Sequence, residues 1–113
     1  MKIIITKTFK QDFLDVFYDY RLLNIFIKKL NETKLIRLNQ DLFKFKFYIK
    51  TISTRGIVFL NINNYYIPIL LSKKSDKNIG DNLVLNKYIK HILDTKFEKM
   101  GQDLINIDYE IIE

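Results

Sequence analysis

The stretch Leu42-Phe43-Lys44-Phe45-Lys46-Phe47-Tyr48-Ile49-Lys50 has a period of two. In an extended chain Phe43, Phe45, Phe47 and Ile49 share one face, and Lys44, Lys46, Tyr48 and Lys50 share the other. This predicts a strand with one buried and one basic side, as in an antiparallel sheet that faces solvent on one side. Two more extended runs follow at 54–62 and 65–71, and Asn63-Asn64 suits a two-residue turn between them because Asn tolerates positive φ. With that turn, Ile62 faces Tyr65, Leu60 faces Ile67, Val58 faces Ile69 and Gly56 faces Leu71, an apolar side that belongs to the core. The reverse side then carries Arg55, Ile57, Phe59, Leu70, Ser72 and Lys74, with Arg55 and Lys74 at the same end. Pro68 has no N–H to give, so its strand is expected at a sheet edge or bulged there.

Upstream, Lys2 to Ile5 is a short β-branched strand, and Thr6 or Thr8 can cap the helix after it. Phe9, Phe13, Val16, Phe17 and Tyr20 recur at helical spacing, as do Leu22, Leu23, Phe26, Ile27 and Leu30 over 21–32. A turn near Tyr20 makes these a helical hairpin, and 31–40 reads as a polar connection. Downstream, 73–78 is a polar loop. Asp81 or Asn82 caps a last helix with Leu85, Tyr88, Ile89, Ile92, Leu93 and Phe97 on its apolar stripe, and Gly101 ends it. Ile105, Ile107, Tyr109 and Ile111 then alternate with Asn106, Asp108 and Glu110, which predicts a further strand with an acidic outer face. The order is β-α-α-β-β-β-α plus a C-terminal strand, an α+β fold in one domain over 1–113.

The charge is divided unevenly. The 113 residues carry 19 Lys+Arg and 13 Asp+Glu, a net of +6. Residues 1–100 hold all 19 basic residues against 9 acidic ones, a net of +10, and the last thirteen carry −4. An AT-rich coding sequence raises Lys, Asn and Ile wholesale, but does not explain why basic residues stop at Lys99. The basic body points to a nucleic acid or an acidic protein as partner. With no Cys and one His, disulfides, thiolate metal sites and a His-rich metal site are excluded. The apolar runs are too short to span a bilayer, and the start lacks a signal-peptide pattern, so a cytoplasmic chain with no membrane partner is expected.

Most catalytic signatures are missing. Gly56, Gly80 and Gly101 are isolated, so no Gly-rich phosphate loop is formed. No nucleophile-elbow sequence accompanies His91, and no pair of carboxylates marks a glycosidase. A basic, aromatic-bearing sheet face remains.

Over residues 1–100 the chain resembles the RelE/ParE superfamily of bacterial type II toxin–antitoxin toxins. The similarity lies in the opening strand running into Thr6-Lys7-Thr8-Phe9-Lys10-Gln11-Asp12-Phe13. It lies also in Thr54-Arg55-Gly56-Ile57-Val58-Phe59 followed by a hairpin, and in a strand ending at Lys73-Lys74 before a terminal helix. The resemblance implies a small RelE-like fold and a cognate antitoxin as partner. RelE-like members are ribosome-dependent mRNA endonucleases that inhibit translation and need no cofactor or metal. ParE-like members are non-nucleolytic gyrase poisons. A small phage or mobile-element interaction module is a third alternative.

Carried onto this chain, the resemblance assigns Arg55 to phosphate stabilisation and Lys73 or Lys74 to the basic position after the hairpin. The family pattern has an arginine there, and lysine supplies charge without a bidentate fork. Lys44 and Lys46 position phosphate, or Lys46 acts as base; His91 joins the catalytic set. Tyr48, Lys73, Lys77 and Tyr88 are further candidates for RNA contact. Each also has an ordinary structural reading: alternating lysines as a solvated face, Tyr88 as core, His91 as a surface residue. The acidic tail at 102–113 is outside the family pattern. It can pair with its own sheet, exchange into a homodimer, or lie against the basic face in competition with RNA.

Overall fold

A computed structural model describes residues 1–76, 79 and 83–113. The elements are β1 (Lys2–Thr6), α1 (Lys7–Phe17), a single 3-10 turn (Tyr20–Leu22), α2 (Leu23–Glu32), β2 (Ile36–Arg37), β3 (Leu42–Ile49), β4 (Ile52–Leu60), β5 (Tyr65–Lys73), α3 (Lys87–Ile105) and β6 (Tyr109–Ile112). Six strands form one mixed sheet in the order β2-β3-β4-β5-β1-β6, with β1 parallel to β5 and the other described pairs antiparallel. The fold is α+β. No helix among the described residues is long and apolar enough to cross a membrane.

Local chemistry sets the first helical pair. The Thr6 hydroxyl caps α1 by accepting the Phe9 N–H at 3.2 Å. Phe9, Phe13 and Phe17 form the buried stripe. Tyr18 ends the helix in the left-handed region, with φ 56° and its N–H on the Leu14 carbonyl. Asp19 caps the 3-10 turn, and α2 then buries Leu23, Phe26, Ile27 and Leu30. Phe26 stands 5.5 Å from the Phe45 ring and 5.6 Å from that of Phe47, so the alternating phenylalanines of β3 face α2 as their period predicts. Across β4, a Cβ at Gly56 would meet the Phe45 ring and the Leu70 carbonyl. Glycine there lets the ring lie flat over the strand.

The reverse face differs from the expectation of an open surface. Ile57, Ile67, Ile69 and Leu70 form a second core with Leu83, Ile89, Leu93 and Met100, and Phe59 meets the Phe97 ring edge-on at 5.3 Å. An amphipathic helix has to cover its apolar stripe, and α3 does so on this face of the sheet.

The hairpin also differs. Its loop is three residues, Ile62 to Asn64, with Asn64 at φ 65° and Asn61 paired to Tyr65. The Asn61 side-chain oxygen accepts the N–H groups of Asn63 and Tyr65 at 3.0 and 2.9 Å. The register therefore starts one residue off, with Val58 opposite Pro68. A bulge between Ile57 and Val58 restores it, so Ile57 opposes Leu70 and Gly56 opposes Leu71 as expected. Between the two offsets the strand is turned over, which moves Ile67 and Ile69 into the second core. Pro68 thus sits at a bulge in an interior strand.

Three features near the C-terminus are also corrected. Asn86 caps α3, its side chain accepting the Ile89 N–H, whereas Asp81 and Asn82 lie outside the described residues. The helix runs through Gly101, where a side chain would meet only open space, and ends at Ile105. The last strand is accordingly Tyr109–Ile112, paired antiparallel to β1 of the same chain. The polar connection after α2 contains the two-residue β2, which extends the sheet beside β3.

Candidate functional site

Cross-strand register brings most of the anticipated residues into one area. Lys46 pairs with Arg55 and Arg55 with Ser72, forming a row across β3, β4 and β5. Tyr48 pairs with Ser53, and Lys44 with Ile57. Cross-strand partners share a face, so these residues lie on the side that carries Ile57, the α3 side. Lys74 joins the row's end through its N–H, which donates to the Ser53 carbonyl at 3.0 Å.

The centre of the row is buried. Arg55 is 5% exposed and Ser72 2%. Among the described residues, Arg55 Nε and the hydroxyls of Ser53 and Ser72 find no hydrogen-bond partner. Among the described residues, no carboxylate forms an ion pair with Arg55. Leaving a buried polar group unmet costs roughly 1–3 kcal/mol, and more for a charged one. Three such groups on neighbouring residues of one sheet face suit an anionic acceptor supplied from outside the fold. Lys46 and Tyr48 are exposed beside them and Lys44 is half-buried.

Other candidates lie elsewhere. Lys73 alternates with Ser72 and so belongs to the opposite face, where its Nζ lies 5.8 Å from the ring of Tyr18. Tyr88 and His91 are both exposed on the first turns of α3. Helical spacing puts Tyr88 on the apolar stripe, but Ile89 and Leu93 take the buried positions. Among the described residues neither Tyr88 nor His91 is hydrogen-bonded to the Arg55 row. Lys77 lies outside the described residues.

The end of the sheet is contoured by two grooves. One, of about 520 Å³, is lined by Thr51, Ile52, Ser53, Lys73, Lys74 and Ser75. The other, of about 290 Å³, shares Lys73 and Ser75 with it and reaches Asp15 and Val16 of α1. Tyr18 stands at this end and was missed by sequence reasoning, because its helical spacing gave no sign of a left-handed turn. Hydrogen bonds from Arg21 hold the neighbouring Asp19 carboxyl below its usual range, and Lys50, in the two-residue turn between β3 and β4, adds to the effect.

The acidic tail is remote from the Arg55 row. It joins the sheet beyond β1, so two strands separate β6 from β4, a span of about 14 Å at the usual strand spacing. Its Glu110 pairs with Lys10 of α1. Of the three placements open to it in sequence, this chain shows pairing with its own sheet. No protein-family model, curated protein or solved structure was found to match the chain.

Proposed function

We propose that this chain is a RelE-like toxin of a type II toxin–antitoxin system, an mRNA endonuclease acting at the ribosome and neutralised by an acidic antitoxin. The observation that carries the reading is the buried Arg55, with Nε unmet between the unmet hydroxyls of Ser53 and Ser72. A scissile phosphate supplies the acceptors that these groups lack. In the cleavage the 2′-oxygen bonds to phosphorus as the bond to the 5′-oxygen breaks. Lys46, as the neutral amine, takes the 2′-hydroxyl proton, and solvent water protonates the departing 5′-oxygen. Arg55 stabilises charge on the phosphoryl oxygens, and Lys74 adds charge at the strand end. The α+β element order from β1 through α3 supports this reading of the chain.

A second reading is favoured by two observations. Arg55 is almost wholly covered, and His91 makes no hydrogen bond to its row among the described residues. A ParE-like, non-nucleolytic toxin that only binds its target needs no aligned acid and base. Induced expression of wild type beside Arg55→Ala separates the two. Translation arrest with mRNA cut on the ribosome, lost in Arg55→Ala, is the expected result. DNA damage with intact mRNA would transfer the assignment to the second reading.

A further inference from the structure

We propose that Tyr18, beside Lys73, is a base-stacking subsite for single-stranded nucleic acid crossing the end of the sheet from the Arg55 row. The proposal rests on reading that row as a phosphate site and extends it to the opposite face.

Tyr18 is 81% exposed, whereas the other aromatic residues of its helix, Phe9, Phe13 and Phe17, are buried. It occupies the left-handed position closing α1, where glycine or asparagine is the usual resident and a bulky side chain is strained. The ring packs into neither core. An aromatic residue kept at a strained and largely exposed position is suited to a ligand that stacks. Lys73 stands 5.8 Å from the ring centroid and lines both grooves. Lys50 lies in the two-residue turn between β3 and β4, at the same end of the sheet.

Charge fixes which part of the ligand goes where. Lys74, Lys73 and Lys50 offer a cationic track over the strand ends. Asp15, on the far side of the second groove, disfavours a phosphate there. A backbone following the lysines therefore turns a base toward Tyr18. Lysines beside an exposed aromatic ring suit an unpaired nucleotide, since each base has a stacking face and each linkage a charge.

The test is fluorescence anisotropy with a labelled single-stranded RNA and a series carrying one abasic position. Tyr18→Asn removes the ring and suits the left-handed backbone, so the fold is retained; Tyr18→Phe keeps the ring. Stacking predicts that Tyr18→Asn weakens binding about tenfold to a hundredfold, while Tyr18→Phe stays within about twofold. One abasic position should weaken wild type and have no effect on Tyr18→Asn. If Tyr18→Asn binds as wild type while Arg55→Ala is weakened, the subsite is wrong and the phosphate row stands. Equal losses in Tyr18→Asn and Tyr18→Phe would also overturn stacking. No binding by wild type would overturn both readings.

Discussion

Thr8 donates its backbone N–H to the carboxylate of Asp103 at 2.8 Å, across ninety-five positions of chain. The first turn of α1 is thereby closed by a residue of α3. Asp103 is itself buried, and its backbone carbonyl accepts the Asp108 N–H, whose own carbonyl accepts the N–H of Lys7. The positive end of the α1 dipole and its unmet amides are thus supplied from the C-terminal part of the chain.

Asp103→Ala should therefore destabilise the protein by about 1–3 kcal/mol, the cost of a lost cap and an unmet buried amide. Asp103→Asn keeps an acceptor but loses the charge, and should fall between wild type and Asp103→Ala. Urea unfolding monitored by circular dichroism measures both; an unchanged midpoint for Asp103→Ala would show that this carboxylate does not cap α1.

Arg55→Met should have opposite effects on stability and binding. Replacing a buried cation that has no ion-pair partner among the described residues by an apolar side chain of similar length is expected to raise stability by about 1–3 kcal/mol. Binding of a single-stranded RNA should fall at the same time. A destabilised Arg55→Met would show that the guanidinium holds the fold and that the phosphate role is misplaced.

Gly56→Ala places a methyl group against the Phe45 ring and the Leu70 carbonyl. The carbonyl belongs to a paired strand and cannot swing away, so a loss of at least ~1–3 kcal/mol is expected. Thermal melts of Gly56→Ala and of Gly101→Ala make a matched pair, since at Gly101 the added methyl meets nothing. Replacing a glycine inside α3 should be neutral or stabilising by up to ~1 kcal/mol.

The tail should act on stability and leave RNA binding alone. The hydrogen bond to Glu110 raises the pKa of Lys10 above its ordinary value, outweighing its partial desolvation. A raised lysine pKa contributes stability that is fully present below the unfolded value, about 10.4, and is lost as pH rises through the folded one. Melting temperatures of wild type and Glu110→Gln should therefore converge at high alkaline pH. The difference near neutrality should be small, at most ~1 kcal/mol, because the Glu110 side chain is largely exposed. Stronger RNA binding by a folded Glu110→Gln would revive competition between the tail and the Arg55 row.

Salt dependence reads the lysines individually. Removing one cation that touches a single-strand phosphate should reduce the slope of log affinity against log salt by about 0.7. Lys46→Gln and Lys74→Gln are each expected to show that change, and Lys28→Gln, on the outer side of α2, is not. Equal slopes in all three would detach binding from this end of the sheet.

Much of the fold follows from local period. The phenylalanines of 42–50 had to share a face whatever lay around them, and the stripes at 9–17 and 22–30 had to be helical. Chain geometry within a few residues decides both patterns. The Thr6 cap is local in the same way. The candidate site was legible in part: the lysine alternation and Arg55 were visible as residue types. Their grouping depended on a register that local pairing rules place correctly only beyond the bulge, from Ile57–Leu70 to Thr54–Lys73, where the offsets of a three-residue loop and the bulge cancel.

Tertiary structure decided the rest. Whether the reverse face was open or covered depended on where α3 docked, and that buried Ile57 and Leu70 together. Gly101 remained helical because Met100 and Asp103 on either side of it are buried, the latter capping α1, and the tail paired with β1 because that edge was free to receive it. Tyr18 stands at the sheet end because the α1–α2 elbow turns through a left-handed residue. Local sequence governs conformation over a few residues, whereas burial of a charge is settled by elements far apart in the chain. Arg55 is the clearest instance: the sequence supplies the cation, and only the packed sheet removes its partners.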